Sequence, residues 1–169
     1  MQQNLTEVII LAGGLGTRLR SAVPDVPKCM APVNGRPFIT WVIDHLKEQG
    51  IEHFVFALGY KNEAFLELLG RYFPAGNYRI SVEEEPLGTG GAVQLACSKI
   101  KGSQVVVANG DTLFRVNMKE VAAFHFYKKA ACTLTLKPMK DFSRYGAVET
   151  GPDAAISHFR EKQYFPEGV

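Results

Sequence analysis

The sequence predicts an α/β domain: a mainly parallel, Rossmann-like sheet with helices on both faces. Three observations predict it. Apolar strand-like runs alternate with amphipathic helical patterns along most of the chain. The first run, Val8-Ile9-Ile10-Leu11, is continuously apolar, as in a strand buried on both faces. Glycines and carboxylates gather just after these runs, where open α/β sheets bind their ligands.

Taken in order, Val8 to Leu11 opens the sheet. Residues 37–49 read as a helix. Pro37 suits its first turn, Phe38, Val42 and Leu46 share a face with Ile39 and Ile43, and Gly50 stops it. His53 to Leu58 is the second strand. Asn62 is placed to cap a helix bearing Phe65, Leu68, Leu69 and Tyr72. Arg79 to Val82 is a short third strand. Thr89 is expected to cap a helix through Cys97, although Gly90 and Gly91 weaken its start. Gln104 to Ala108 is a fourth, strongly apolar strand, and Asn109-Gly110-Asp111 follows it. Asn117 caps a helix through Lys129, and Cys132 to Lys137, Tyr145 to Glu149 and Ala155 to Arg160 complete the chain as strands. Without a linker, repeat or low-complexity segment, residues 1–169 read as a single domain. The abrupt ending, Phe165-Pro166-Glu167-Gly168-Val169, makes that domain look truncated at its C-terminus.

Composition narrows the function. Hydrophobic content of 46% and charged content of 21% are ordinary for a globular protein. A net charge of +2 with no basic cluster argues against a nucleic-acid partner. No apolar run approaches membrane-spanning length. Cys29, Cys97 and Cys132 are scattered and odd in number, which points to reduced thiols and a cytoplasmic protein. His45, His53, His125 and His158 show no metal-ligand spacing.

Chemistry is concentrated in three segments. In the first, a strand empties into Gly13-Gly14-Leu15-Gly16-Thr17, and Arg18 and Lys28 follow as cations. Bare backbone beside an arginine fork and a lysine point charge suits a polyphosphate. A dinucleotide fingerprint fails: its third glycine is missing, and the second strand ends in Ala57-Leu58-Gly59-Tyr60 with no acid. A P-loop fails for want of Gly-Lys-Ser/Thr. In the second segment, Asp111 after the most apolar strand either caps a turn or holds Mg²⁺ against nucleotide phosphates. The third is Glu83-Glu84-Glu85-Pro86-Leu87-Gly88, which places carboxylates near a phosphate site. One carboxylate can accept both the N1–H and the exocyclic amine of guanine, whereas uracil or thymine suits an amide better. Glu83 and Glu85, sharing a strand face, are both candidates for that contact.

Together these residues resemble the sugar-1-phosphate nucleotidyltransferase family. The resemblance rests on Leu11-Ala12-Gly13-Gly14-Leu15-Gly16-Thr17-Arg18-Leu19, Pro27-Lys28, Gly35-Arg36-Pro37 and residues 86–92. Asn109-Gly110-Asp111, Tyr145-Gly146 and Glu161-Lys162 continue it in the family's order. Residues 31–38 look most like the members that guanylylate D-glycero-D-manno-heptose 1-phosphate. The resemblance implies the nucleotide-diphospho-sugar transferase type of fold. It also implies the reaction of GTP with a sugar 1-phosphate to give a nucleotide sugar and pyrophosphate. By the family pattern, Leu11, Ala12, the backbone of Gly13, Gly14, Gly16 and Thr17, and Arg18 hold the nucleotide with Asn109 and Gly110. Lys28 stabilises charge at the α-phosphate, and Glu83 or Glu85 with Gly88 meets the base. Asp111 binds Mg²⁺, Gly146 and Glu161 face the sugar, and Lys162 meets its phosphate. Two departures stand out. Cys29 replaces the family's usual proline, and the late Asp that serves as second metal carboxylate has no counterpart here.

Overall fold

The computed structural model describes residues 5–14, 27–59, 63–74 and 76–169. Its elements are β1 (Glu7–Leu11), a short 3₁₀ turn (Lys28–Met30), β2 (Pro32–Val33), β3 (Arg36–Pro37), α1 (Phe38–Glu48), β4 (His53–Leu58), α2 (Glu63–Tyr72) and β5 (Tyr78–Val82). Next come α3 (Gly88–Cys97), β6 (Val106–Asn109), α4 (Met118–Lys128), β7 (Met139–Phe142), β8 (Ala147–Thr150), β9 (Ile156–Arg160) and β10 (Phe165–Gly168). The chain divides into two compact units, Met1–Lys129 and Ala130–Val169.

In the first unit the order β5-β4-β1-β6 forms a parallel sheet. Strand alternation sends successive side chains to opposite faces. Val8, Ile10, Phe54, Phe56 and Leu58 therefore pack with Ile39, Ile43 and Leu46 of α1 and Phe65 and Leu69 of α2. Ile9, Val55 and Ala57 pack on the other face against Ala92 and Ala96 of α3. Helices thus cover both faces, as predicted. The chain moves outward from β1 through β4 to β5, then returns to the far side of β1 as β6. That reversal is a topological switch point, and a crevice opens beyond the carboxyl ends of its strands.

Several boundaries differ from the sequence expectation for physical reasons. β6 is apolar but half exposed, with Val107 46% exposed, because it pairs with β1 alone among the described residues. The helix expected to start at a Thr89 cap begins at Gly88, whose φ of +69° makes the entry, so Thr89 lies inside the first turn. Asn117 caps α4 as expected, accepting from the Lys119 and Glu120 N–H groups. Residues 132–137 form no strand, since an alternating pattern needs a ladder partner to become one. The proposed Asn62 cap lies outside the described residues. Among the described residues, no helix is long and apolar enough to cross a membrane.

The hairpin β2–β3 was not anticipated. Asn34 and Gly35 turn it with φ of +50° and +77°, the conformation favoured in two-residue hairpin loops. Arg36 fastens it to the helices. Its guanidinium lies 3.5 Å from the Trp41 ring centroid and donates to Asp44 at 2.6 Å. The other Asp44 oxygen accepts the Tyr72 hydroxyl at 2.5 Å, and burial together with this bond pushes the Tyr72 pKa up.

Glu7 anchors the opposite end of β1. Its carboxylate accepts the backbone N–H groups of Lys101 at 3.1 Å and Gly102 at 2.5 Å, and Arg79 lies 3.6 Å away. Burial raises its pKa, but these N–H groups, Arg79 and His53 together outweigh burial and hold it below the usual range. Stability from Glu7 is therefore fully present above the unfolded value of about 4.3 and is lost as pH falls through the lowered folded value. Denaturant titrations from pH 7 to pH 3 should show this loss. Glu7→Gln should flatten that slope and lower stability at pH 7 by about 1–3 kcal/mol. An unchanged slope would refute this role.

The second unit pairs β7 with β10 and β8 with β9, both antiparallel. Phe142 and Phe165 stack with centroids 5.2 Å apart over Ala147, and Arg160 bonds Glu149 across β8–β9 at 2.7 Å.

Candidate active site

A cavity of about 680 Å³ opens at the switch point. The end of β1 and the segment after it supply Leu11, Ala12, Gly13 and Gly14, and the end of β4 supplies Ala57 and Gly59. The turn after β5 supplies Glu83, Glu84, Glu85 and Pro86, and α3 adds Gly88, Thr89 and Ala92. Asn109 ends β6 and Asp111 follows it, and the 3₁₀ turn brings Lys28 and Cys29.

Glycine is required where β1 and β4 end. A Cβ on Gly13 would stand 2.9 Å from the Gly59 backbone nitrogen, and one on Gly59 would stand 2.9 Å from the Gly13 carbonyl oxygen. The two strand ends approach this closely because Ala12 N–H donates to the Ala57 carbonyl at 2.9 Å just before them. Gly14, by contrast, is exposed, and a Cβ there would meet nothing within 4 Å among the described residues. Gly110 is buried behind the wall rather than in it. Its N–H donates to the Leu11 carbonyl at 2.8 Å, and a Cβ would meet Ile39 at 2.9 Å.

Beside the end of β4, β5 ends at Val82, so Glu83 and Glu85 do not share a strand face. Their segment turns because Glu83 Oε2 accepts the Leu87 backbone N–H at 2.9 Å. Glu83 is half-buried with one oxygen fixed, whereas Glu85 is exposed on the bend. The N-terminus of α3 starts immediately beyond, without a side-chain cap among the described residues, and its dipole favours an anion.

Lys28 and Asp111 meet although 83 positions separate them: Nζ donates to Oδ2 at 2.7 Å. Thr112 Oγ1 donates to the other Asp111 oxygen at 3.2 Å. Cys29, buried beside this pair, has its thiol pushed up to about 12 by burial, with the Asp111 charge adding to the effect. It is a protonated wall residue and not a thiolate nucleophile. The described wall carries four carboxylates against the single ammonium of Lys28. A polyphosphate needs more positive charge than that.

Among the described residues no three His, Cys, Asp or Glu side chains gather as a metal cage. The lone Asp111 carboxylate fits a hard divalent cation whose remaining ligands are phosphate oxygens and water.

Of the residues singled out from sequence, Leu11, Ala12, Gly13, Gly14, Lys28, Glu83, Glu85, Gly88, Asn109 and Asp111 line one cavity. Gly16, Thr17 and Arg18 lie outside the described residues. Gly146, Glu161 and Lys162 belong to the second unit. There a Cβ on Gly146 would stand 2.6 Å from the Arg160 carbonyl oxygen, and Glu161 and Lys162 are exposed just past β9. Sequence reasoning did not assign Cys29, Ala57, Gly59, Glu84, Pro86, Thr89 or Ala92 to the site, although they too line the cavity. A glycine ending the strand beside Gly13 was the available signal for Gly59.

Residues 7–167 match the profile described as "Nucleotidyl transferase". The chain belongs to the nucleotidyl transferase family. It is 45% identical over 162 residues to the D-glycero-alpha-D-manno-heptose 1-phosphate guanylyltransferase of Aneurinibacillus thermoaerophilus, covering 96% of this chain and 70% of that one. It is 38% identical over 163 residues to the enzyme of the same description from Campylobacter jejuni, covering 96% and 72%. The crystal structure of HddC from Yersinia pseudotuberculosis complexed with GMP-PN superposes with a TM-score of 0.79 at 32% identity, covering 97% of this chain and 72% of that one. This nucleotidyl transferase therefore has the nucleotide-diphospho-sugar transferase fold, with its cavity at the sheet's switch point.

Proposed function

We propose that this nucleotidyl transferase moves a GMP unit from GTP to a sugar 1-phosphate, D-glycero-D-manno-heptose 1-phosphate, and releases pyrophosphate. The observation that carries this reading is what one cavity brings together: the glycine backbone of Gly13 and Gly14, Lys28 paired with Asp111, and the half-buried Glu83 with one oxygen already held by Leu87. The guanylyltransferase relatives and the GMP-PN complex of HddC support it.

In the proposed reaction an oxygen of the sugar phosphate attacks the α-phosphorus of GTP in line. The new O–P bond forms as the bond to the pyrophosphate oxygen breaks, and its electron pair leaves with pyrophosphate. The nucleophile is already anionic, so no general base is needed, and catalysis consists of positioning and charge neutralisation. Gly13 and Gly14 let phosphates approach the backbone, and Arg18 and Lys28 offset their charge. Mg²⁺, bound through Asp111 and phosphate oxygens, would supply further charge neutralisation. Glu83 reads guanine because a half-buried, fixed carboxylate discriminates better than the exposed Glu85. Gly146, Glu161 and Lys162 serve the sugar phosphate. Exposed free thiols at Cys97 and Cys132 favour a cytoplasmic setting.

A matrix of the four NTPs against several sugar 1-phosphates, scored by pyrophosphate release, tests this. GTP with the manno-configured heptose phosphate should lead. Glu83→Gln keeps an acceptor for the Leu87 N–H but loses the anionic contact, and should lower kcat/KM for GTP about 10–100-fold. Activity confined to UTP or dTTP would refute the guanylyl assignment.

A further inference from the structure

We infer that Lys28 acts as an internal counter-cation for Asp111, so that divalent metal and nucleotide bind with positive coupling. The inference rests on the reading of Asp111 as the metal carboxylate. Both Asp111 oxygens are satisfied by the protein itself: Lys28 Nζ lies on one at 2.7 Å and Thr112 Oγ1 on the other at 3.2 Å. A metal arriving alone must displace an ammonium. The side chains of Lys28 and Asp111 are 42% and 35% exposed, so solvent screens the pair and it can exchange.

Lysine is a compact point charge on a flexible stem and cannot serve two anions at full strength. A triphosphate in the same cavity carries more charge than one carboxylate and draws Nζ away. Asp111 is then left without its cation beside the phosphates, an environment that favours a divalent cation. By linkage, bound metal strengthens nucleotide binding by the same factor.

The test uses Mn²⁺ alone, with no nucleotide or sugar, counting the free ion by electron paramagnetic resonance. Lys28→Met should bind Mn²⁺ about ten-fold more tightly than the unmodified protein. Lys28→Arg, which keeps a cation, should bind as weakly as the unmodified protein. Asp111→Asn should bind least and should erase the difference that Lys28→Met makes. Lys28→Gln carries the same expectation should the methionine variant fold poorly by circular dichroism. If Asp111→Asn weakens binding but neither Lys28→Met nor Lys28→Gln strengthens it, the counter-cation role is overturned while the metal assignment stands. If Asp111→Asn leaves Mn²⁺ binding unchanged, the metal assignment falls and this inference falls with it.

Discussion

Asp111→Asn is expected to lower Mg²⁺-dependent pyrophosphate release about 10²–10³-fold while leaving the fold intact. The two effects separate because the residue has two relationships. Toward the proposed metal it supplies the one carboxylate among the described cavity residues that follows β6, and a neutral amide is a far poorer ligand for a hard cation. Toward the protein it makes a partly exposed ion pair with Lys28. Such pairs contribute about 0–1 kcal/mol, and an asparagine oxygen still accepts from the ammonium. A shift of no more than about 2–4 °C in Tm is therefore expected. Single-turnover assays at several Mg²⁺ concentrations, run beside thermal melts, measure both. Turnover within a factor of three of the unmodified protein would remove Asp111 from the reaction. A large fall in Tm would show instead that the pair supports the fold.

Whether a feature was legible in the sequence depended on whether its cause lies in its own segment. β1 and β4 were read within a residue because strands buried on both faces are apolar throughout, and Val8–Leu11 and Phe54–Leu58 pack against helices on both sides. α1 was equally plain, since its apolar stripe and Gly50 act locally. β7 and β10 were missed because Met139–Phe142 and Phe165–Gly168 are short and polar, and stacking of Phe142 on Phe165 holds them together. The hairpin at Asn34-Gly35 carried its own turn signal, but strands of two residues show no periodicity. Residues 132–137 had the pattern without the partner. At the site, the glycine turn and Asp111 stood out by composition. The Glu83–Leu87 bond and the Lys28–Asp111 contact did not, because each depends on where the fold brings the second group.

The close pairing of glycines at the ends of β1 and β4 leads to a second large effect, on stability. Gly13→Ala should destabilise the protein by about 1–3 kcal/mol, whereas Gly14→Ala should stay within about 0.5 kcal/mol. Neither glycine has a positive φ, so backbone strain does not distinguish them. Space does. The new methyl at position 13 would lie 2.9 Å from Gly59 N and 3.3 Å from the Leu58 carbonyl carbon. Both are backbone atoms, so no side chain can swing aside, and the strand ends must splay against the Ala12–Ala57 hydrogen bond. At position 14 the methyl meets nothing within 4 Å among the described residues, and Gly14 lines the cavity where phosphates are proposed to approach, so Gly14→Ala should raise KM for GTP without lowering Tm. Gly59→Ala strains the same contact from the other side, through the Gly13 carbonyl oxygen at 2.9 Å. Once one methyl has spread the strands, the second finds room, so the double variant should lose less stability than the two single losses added. Urea titrations of these four variants beside the unmodified protein decide the matter. Gly13→Ala as stable as Gly14→Ala, or strictly additive losses at 13 and 59, would mean that the strand ends are not locked together at this point.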